Sequence, residues 1–461
     1  MVILFMSFLL DVSCGSIPGN QEDFAKMSPI LLGILGFVVL FSLLALGVPI
    51  GAGMALMGFV GLFYLISDVA AFTKLAIVPF QTVTDYSLAV LPLFILMAQV
   101  VFVSGMGRDL FNLASKWLGH KRGGVAMAAV VGSGIFAAVS ASSIATATTM
   151  GLVSIPEMKR LKYDPALATG AVAAGGTMGV LIPPSGALII YGILTETSIG
   201  KLFVAGIIPG ILEGLFYIAV IFLLCWWKPQ LGPPAEKAPF AEKIKSLFSC
   251  GEIVVLIVFV LMGLIIGWFT PTEAGAVGAF GAIIICTLRR RLSWNGFKTA
   301  IVETLKTTGM IYGILIGALI FNFFVAVSTI PYVLSEFIGN MPLPPMAILV
   351  MVLVLYFFLG CFLDVAAMTV LTIPIFFPLV ISLGFNPIWF GIIFVRMAEI
   401  AMITPPIGMN TFVIAGVVRE MDIEMETVFR GIVPFVAADF LHVALLILLP
   451  PLSLYLVELM M

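Results

Sequence analysis

Charge is what this sequence has least of. Asp, Glu, Lys and Arg make up 10% of its 461 residues, against 62% for hydrophobic types. A soluble domain carries about 25% charged residues. A water-soluble fold of this length needs a polar skin, and these residues do not supply one, so the solvent that fits is the bilayer. The net charge of −2 leaves no broad basic surface and excludes a nucleic-acid partner. Histidine is nearly absent: His120 lies in a basic loop and His442 in an apolar span, too far apart in sequence to suggest a His-based metal centre. His442 reads as a buried helix residue. Of the five cysteines, Cys14, Cys225, Cys250, Cys286 and Cys361, no two form a CxxC, which argues against a disulfide framework or a zinc site. Gly200-Lys201 lacks the upstream glycine and the following Ser or Thr of a phosphate-binding loop, so ATP hydrolysis is not expected. Neither HExxH nor GxSxG occurs, and hydroxyls without a neighbouring base are not nucleophiles. Nor does the charge spacing suggest a voltage sensor. The chain is not expected to be an enzyme.

What is present is a series of apolar segments. They cover about 29–47, 50–67, 87–105, 123–155, 165–198, 202–227, 250–268, 272–288, 300–328, 343–383, 387–418 and 430–458. One crossing helix takes about 20 residues. Segments 123–155 and 343–383 are too long for one crossing and hold small polar residues in mid-run, so each is expected to enter the membrane and turn back. The first 26 residues differ from the rest and are expected to be a loose extension, or to precede a natural start at Met27.

The second pattern is a repeat. Pro156, Leu161, Pro165, Pro183, Pro184 and Gly186 recur as Pro378, Leu383, Pro387, Pro405, Pro406 and Gly408, at a constant offset of 222 (156 to 378, 183 to 405). Gly206-Ile-Ile-Pro209 recurs as Gly431-Ile-Val-Pro434 after a three-residue insertion. The copies differ in charge: Lys159-Arg160-Leu161-Lys162 stands opposite the uncharged run Ile381-Ser-Leu-Gly384. By the positive-inside rule the first long segment opens toward the cytoplasm and the second away from it. The pattern predicts two inverted-topology repeats, each with a re-entrant hairpin and a broken helix, in an all-α polytopic membrane protein. Such repeats build secondary transporters with sites at the midplane. The expected divisions are 1–26 as the extension, 27–115 as N-terminal scaffold helices and 116–227 as the first repeat. Scaffold and connecting helices follow over 228–342, and the second repeat covers 343–461.

The breaks carry the expected chemistry. Pro183-Pro184-Ser185-Gly186 and Pro405-Pro406-Ile407-Gly408 interrupt apolar runs, because proline lacks an N–H and clashes with the preceding turn. Freed carbonyls suit a small hard cation, and the N-terminus of the following half-helix favours an anion. At the first hairpin tip lie Ser140, Ser142 and Ser143, with Thr146 and Thr148. Gly360 to Asp364 holds the same place in the second copy, with Asp364 on the position of Ser142 (142 to 364). Asp364 either binds a cation or proton, or caps the half-helix that starts there. Glu399, three residues after Arg396, is expected to form an ion pair with it.

These residues carry a family resemblance. Gly132-Ser-Gly-Ile-Phe-Ala-Ala-Val-Ser-Ala-Ser-Ser143, Ile182-Pro-Pro-Ser-Gly186, Phe362-Leu-Asp364 and Glu399-Ile-Ala-Met-Ile-Thr-Pro-Pro-Ile-Gly-Met-Asn410 together resemble the large membrane subunit of TRAP (tripartite ATP-independent periplasmic) transporters, from about Met27 to the C-terminus. The resemblance implies a fixed scaffold with an elevator-type transport domain in a bacterial inner membrane. It implies Na⁺-driven uptake of an organic acid, such as a C4-dicarboxylate or a sialic acid. The partners it implies are a periplasmic substrate-binding protein and a separate small four-helix membrane subunit. By the same analogy, Ser140, Ser142 and Ser143 with the carbonyls near Pro183 to Gly186 would help form one Na⁺ site. Gly360 and Asp364 with Thr404, Pro405 and Gly408 would help form another. Ser185, Gly186, Thr177 and Asn410 would face the substrate. The rival expectation is a stand-alone divalent-anion/sodium symporter of related architecture. A membrane enzyme or a channel is the third, though neither paired acids nor a His/Asp cluster at one depth is seen.

Overall fold

The computed structural model describes residues 28–140, 142–339, 342–406 and 408–460. The expectation for the segment before Met27 lies outside them. All the regular structure described is helical. Among the described residues seven helical stretches are long and apolar enough to cross a membrane, and five further apolar helices are shorter.

The helices are α1 Pro29–Ala45, α2 Ile50–Leu65, α3 Asp68–Thr84, α4 Val90–Val103, α5 Met106–Leu118, α6 Gly124–Ser140, α7 Ser143–Arg160, α8 Pro165–Leu181, α9 Gly186–Leu194 and α10 Ile199–Trp227. They continue as α11 Phe240–Ile265, α12 Pro271–Leu288, α13 Trp294–Val327, α14 Ile330–Gly339, α15 Pro345–Gly360, α16 Val365–Ser382, α17 Pro387–Ile403, α18 Met409–Val418, α19 Met425–Leu448 and α20 Pro451–Met460. Three of these, α3, α5 and α14, fall outside the apolar segments expected from the sequence. Helix α3 carries Asp68, Lys74 and Gln81, which break its apolar run. Helix α5 is amphipathic: Met106, Leu110, Phe111 and Ala114 are buried while Arg108 and Asn112 are exposed, so its apolar residues never form a continuous stretch.

The chain divides into two compact units. One comprises the residues up to Val78 together with Gly317–Val333. It is held by close helix approach over small residues: a Cβ on Gly317 would stand 2.0 Å from the Gly51 carbonyl oxygen. Lys74 Nζ lies 3.6 Å from the centre of the Phe323 ring, which offsets part of the cost of an ammonium among apolar helices.

The other unit, Pro79–Ile316 with Leu334–Met461, contains both repeats. The 222-residue offset holds for whole elements: α7 and α16 correspond at both ends (143 to 365, 160 to 382), as do α8 and α17 (165 to 387, 181 to 403). Their caps correspond too. Asp164 and Asn386 each accept from two backbone N–H groups at the start of α8 and α17, and a proline follows each as the first helical residue.

Hydrogen bonds fix the direction of each copy. At one end of this unit Gly123 N donates to Gly232 O at 2.8 Å, Asp164 N to Leu231 O at 2.9 Å, and Lys159 Nζ to Met421 O at 2.9 Å. That end therefore gathers the starts of α6 and α8 with the ends of α7, α10 and α18. At the other end Tyr191 Oη donates to Pro387 O at 2.6 Å and Trp389 Nε1 to Leu446 O at 3.0 Å, so the start of α17 meets the ends of α9 and α19. The broken helix α8–α9 thus runs one way and α17–α18 the other. The first end carries Lys121, Arg122, Lys159, Arg160, Lys162 and Lys228, while the loops 195–198 and 383–386 at the second carry no Lys or Arg. The first end is the cytoplasmic one, and the protein is a multi-pass membrane protein.

Tyr163 closes the first repeat at the cytoplasmic end. It is buried, its hydroxyl accepts from Val125 N at 3.1 Å, and burial pushes it up to about 12.

Candidate functional site

Both hairpins turn at a capping residue. Ser142 sits in extended backbone and accepts from Ala145 N at 3.3 Å, starting α7. Asp364 does the same for α16, accepting from Ala367 N at 2.9 Å. The tips rest on equivalent places. A Cβ on Gly179 of α8 would stand 3.3 Å from the Ser142 backbone, and one on Gly360 would stand 2.7 Å from Cβ of Ala401 in α17. Gly179 and Ala401 are themselves related by the offset (179 to 401), each one turn before its double proline.

The breaks follow. Helix α8 ends at Leu181, the Pro183-Pro184 bond is cis, and Ser185 caps α9 by accepting from Leu188 N at 3.3 Å. Helix α17 ends at Ile403 and the Pro405-Pro406 bond is also cis. There the cap of α18 is Gly408 at φ 59°, a left-handed conformation that glycine takes without strain. The breaks differ in setting: Pro183, Pro184 and Ser185 are buried, while Pro405 and Pro406 are exposed.

A cavity of about 420 Å³ opens between the two tips. Ser140, Ser142 and Ser143 line it from the first hairpin, Asp364 from the second and Gly186 from the start of α9. The opposite wall is Gln99 and its neighbours on α4 with Thr307 and Met310 on α13. The first turns of α7, α9 and α16 all reach the wall, so three helix N-termini, each worth roughly half a positive charge, share one space. Among the described residues no Lys or Arg lines it. Oxygen is dense at the first tip: Ser140 Oγ and Thr146 Oγ1 are 2.5 Å apart, and Thr146 Oγ1 donates to Ser142 O at 2.9 Å. Hydroxyl and carbonyl oxygens of this kind suit a hard cation. Among the described residues no three His, Cys, Asp or Glu side chains gather to hold a metal ion.

The remaining expected residues lie elsewhere. Pro183, Ser185, Gly360, Thr404, Pro405 and Gly408 do not line this cavity, and Thr404 Oγ1 donates back to Ile400 O at 2.6 Å. Asn410 is fully buried off the cavity wall, with neither side-chain polar atom hydrogen-bonded among the described residues. Thr177 is off the wall as well, because its hydroxyl is taken up by Glu213 Oε1 and Tyr217 Oη, each 2.8 Å away.

Those two belong to a buried charge cluster that corrects one expectation. Arg396 does not pair with Glu399. Its Nη1 donates to Glu213 Oε1 at 2.8 Å, its Nη2 to Asp439 and, at 3.2 Å, to Tyr217 Oη, and its Nε to His442 Nδ1 at 3.3 Å. The guanidinium turns toward α10 and α19, where two carboxylates wait, and every charged group is fully buried. Glu399, one turn nearer the break, instead accepts from Ser143 Oγ at 3.2 Å. Glu213 and Asp439 went unnoticed in the sequence. The signal was there, since an acid inside a long apolar helix is rare and functional by default. The cavity walls on α4 and α13 had no such signal.

Inverted repeats, paired re-entrant hairpins and broken helices around a shared cavity define a secondary-transporter architecture. A solved structure of the Alcanivorax borkumensis YdaH transporter shares the fold, with a TM-score of 0.63 over 91% of this chain and 98% of that one at 14% identity. The sequence matches the tripartite ATP-independent periplasmic transporter, DctM component, over residues 37–452. The C4-dicarboxylate TRAP transporter large permease protein DctM of Pseudomonas aeruginosa is 36% identical over 345 residues, 75% of this chain and 80% of that one. The sialic acid TRAP transporter large permease protein SiaM of Vibrio cholerae is 31% identical over 378 residues, 82% and 87% respectively. The chain belongs to the DctM family of TRAP transporter large permease subunits, and it is a transport protein rather than an enzyme.

Proposed function

We propose that this chain is the permease of a Na⁺-driven importer of an organic acid. One observation carries the reading: three helix N-termini and a set of hydroxyl, carbonyl and carboxylate oxygens share a cavity with no lysine or arginine on its wall among the described residues. Helix N-termini favour the carboxylate of a solute. The oxygens favour a small cation, which offsets the cost of bringing an anion to membrane depth. Ser140, Ser142 and Ser143 with the carbonyls around Pro183 and Gly186 are the first Na⁺ site in this reading. Gly360, Asp364, Thr404, Pro405 and Gly408 are the second. Ser185, Gly186 and Asn410 serve the solute. Thr177 acts at one remove, through the Glu213 cluster. Hairpins and broken helices move together as an elevator against the flanking helices. A small four-helix membrane subunit and a periplasmic binding protein complete the system. Relatives named for C4-dicarboxylate, sialic acid and 2,3-diketo-L-gulonate transport support an organic acid as the solute.

The test is co-reconstitution of the chain with its small subunit and binding protein in liposomes, an imposed Na⁺ gradient and a panel of labelled organic acids. Ser142→Val and Thr404→Val are each expected to weaken the Na⁺ dependence of uptake. Unchanged Na⁺ activation in both would count against the two cages. Uptake by the chain alone would instead favour the stand-alone symporter.

A further inference from the structure

Glu399 stands apart from the other buried acids. Glu213 and Asp439 bond to Arg396, whereas Glu399 has no cation within bonding distance among the described residues. It is fully buried, its Oε1 accepts from Ser143 Oγ at 3.2 Å, and its Oε2 has no hydrogen-bond partner. Ser143 is the first residue of α7 and lines the cavity.

We infer that Glu399 is a positioning residue for cation binding, acting through the Ser143 hydroxyl. This rests on the Na⁺ reading above. A hydroxyl has one hydrogen and two lone pairs. Given to Glu399 Oε1, the hydrogen is turned away from the lone pairs, which stay free for a cation, and a bound cation favours the ionised carboxylate that accepts it. The acceptor stands on a rigid base, because Arg396 one turn earlier ties α17 to α10 and α19.

The repeat supplies an internal comparison. The counterpart of Ser143 is Val365 and that of Glu399 is Thr177 (143 to 365, 177 to 399). Val365 has no hydroxyl, and Thr177 bonds to Glu213 and Tyr217 instead. The equivalent pair of side chains therefore makes no such bond between the repeats, and the repeat pattern alone does not require the one at Ser143. The link breaks the symmetry of the two halves at the tip richest in oxygen.

The experiment measures initial uptake against Na⁺ concentration in liposomes holding the chain with its small subunit and binding protein. Wild type, Glu399→Gln, Ser143→Ala and the double variant are compared. Each single change is expected to raise the half-saturating Na⁺ about tenfold, the scale of one hydrogen bond to a charged group. The double variant is expected to be no worse than either, because both remove one interaction. Glu399→Asp keeps the charge and withdraws the oxygen by one methylene, and it should shift half-saturation as well. Wild-type half-saturation in Glu399→Gln or Glu399→Asp, or single shifts that multiply in the double variant, would overturn the inference while leaving Na⁺ coupling intact. Uptake by the wild type that ignores Na⁺ would remove the Na⁺ reading itself, and this inference with it.

Discussion

Arg396 and Glu213 meet across the two repeats: Nη1 of one lies 2.8 Å from Oε1 of the other, both side chains fully buried. Glu213 comes from α10 of the first repeat and Arg396 from α17 of the second. With Asp439 on α19, which runs opposite to α10 and α17, the guanidinium therefore ties together three helices. Removing one member of a buried pair leaves a charge uncompensated at a cost of about 3–5 kcal/mol. Arg396→Met strands Glu213 and Asp439 together and is expected to be the more damaging change, while Glu213→Gln still leaves Asp439 bonded. Thermal unfolding in detergent followed by size-exclusion chromatography reads the order. Equal losses from both would mean that Asp439 does not share the guanidinium.

Ser142 and Asp364 test whether a cap is only a cap. Both accept a backbone N–H at the first turn of the inner hairpin arm. Replacing either by alanine is expected to cost about 1 kcal/mol of stability. Asp364→Asn keeps the capping oxygen but removes the charge. A thermal midpoint close to wild type, with uptake lowered, would assign the carboxylate to the cation. Loss of neither would leave Asp364 as a cap alone.

The repeat was the most legible part of the fold, and the reason is physical. Pro183-Pro184 and Pro405-Pro406 each break a helix for a backbone reason, so their common spacing stands out where the apolar residues between them differ. From that spacing the ends of α7, α8, α16 and α17 and their opposite directions follow. The pairing of Arg396 was not legible. Spacing along one helix favours Glu399, but the side chains that reach Arg396 come from α10 and α19, and which helices surround a residue is a tertiary fact. Thr177 illustrates the same limit: its hydroxyl fits a cavity in sequence, and in the fold it turns to Glu213. Helix α5 was hidden differently, since an amphipathic helix carries a polar face that masks it in a search for continuous apolar runs.

Gly431 and Gly170 carry the closest approach of α8 and α19. A Cβ on Gly431 would stand 2.0 Å from Ala166 O, and one on Gly170 2.2 Å from Gly431 O. Backbone cannot yield as a flexible side chain does. Gly431→Ala and Gly170→Ala are each expected to cost about 1–3 kcal/mol through overpacking. Gly416→Ala on α18 meets nothing within 4 Å and is expected to leave stability unchanged. A thermal midpoint for Gly431→Ala equal to that of Gly416→Ala would show the two helices to be further apart than described.

Tyr163 provides a prediction in pH. Its phenol is buried against Val125 N–H and pushed up to about 12, above the usual tyrosine value near 10. The fold therefore favours the neutral form. Its contribution to stability is fully present below about pH 10 and is lost as the pH rises toward about 12, because the unfolded chain ionises first. Tyr163→Phe removes both the titration and the acceptor for Val125 N–H. The variant is expected to be less stable at neutral pH by about 1 kcal/mol. It should also lose less stability than the wild type between about pH 10 and 12. Thermal midpoints of the two proteins measured across that range should converge. Parallel curves would mean that another group governs the alkaline limit and that the Tyr163 hydroxyl is open to water.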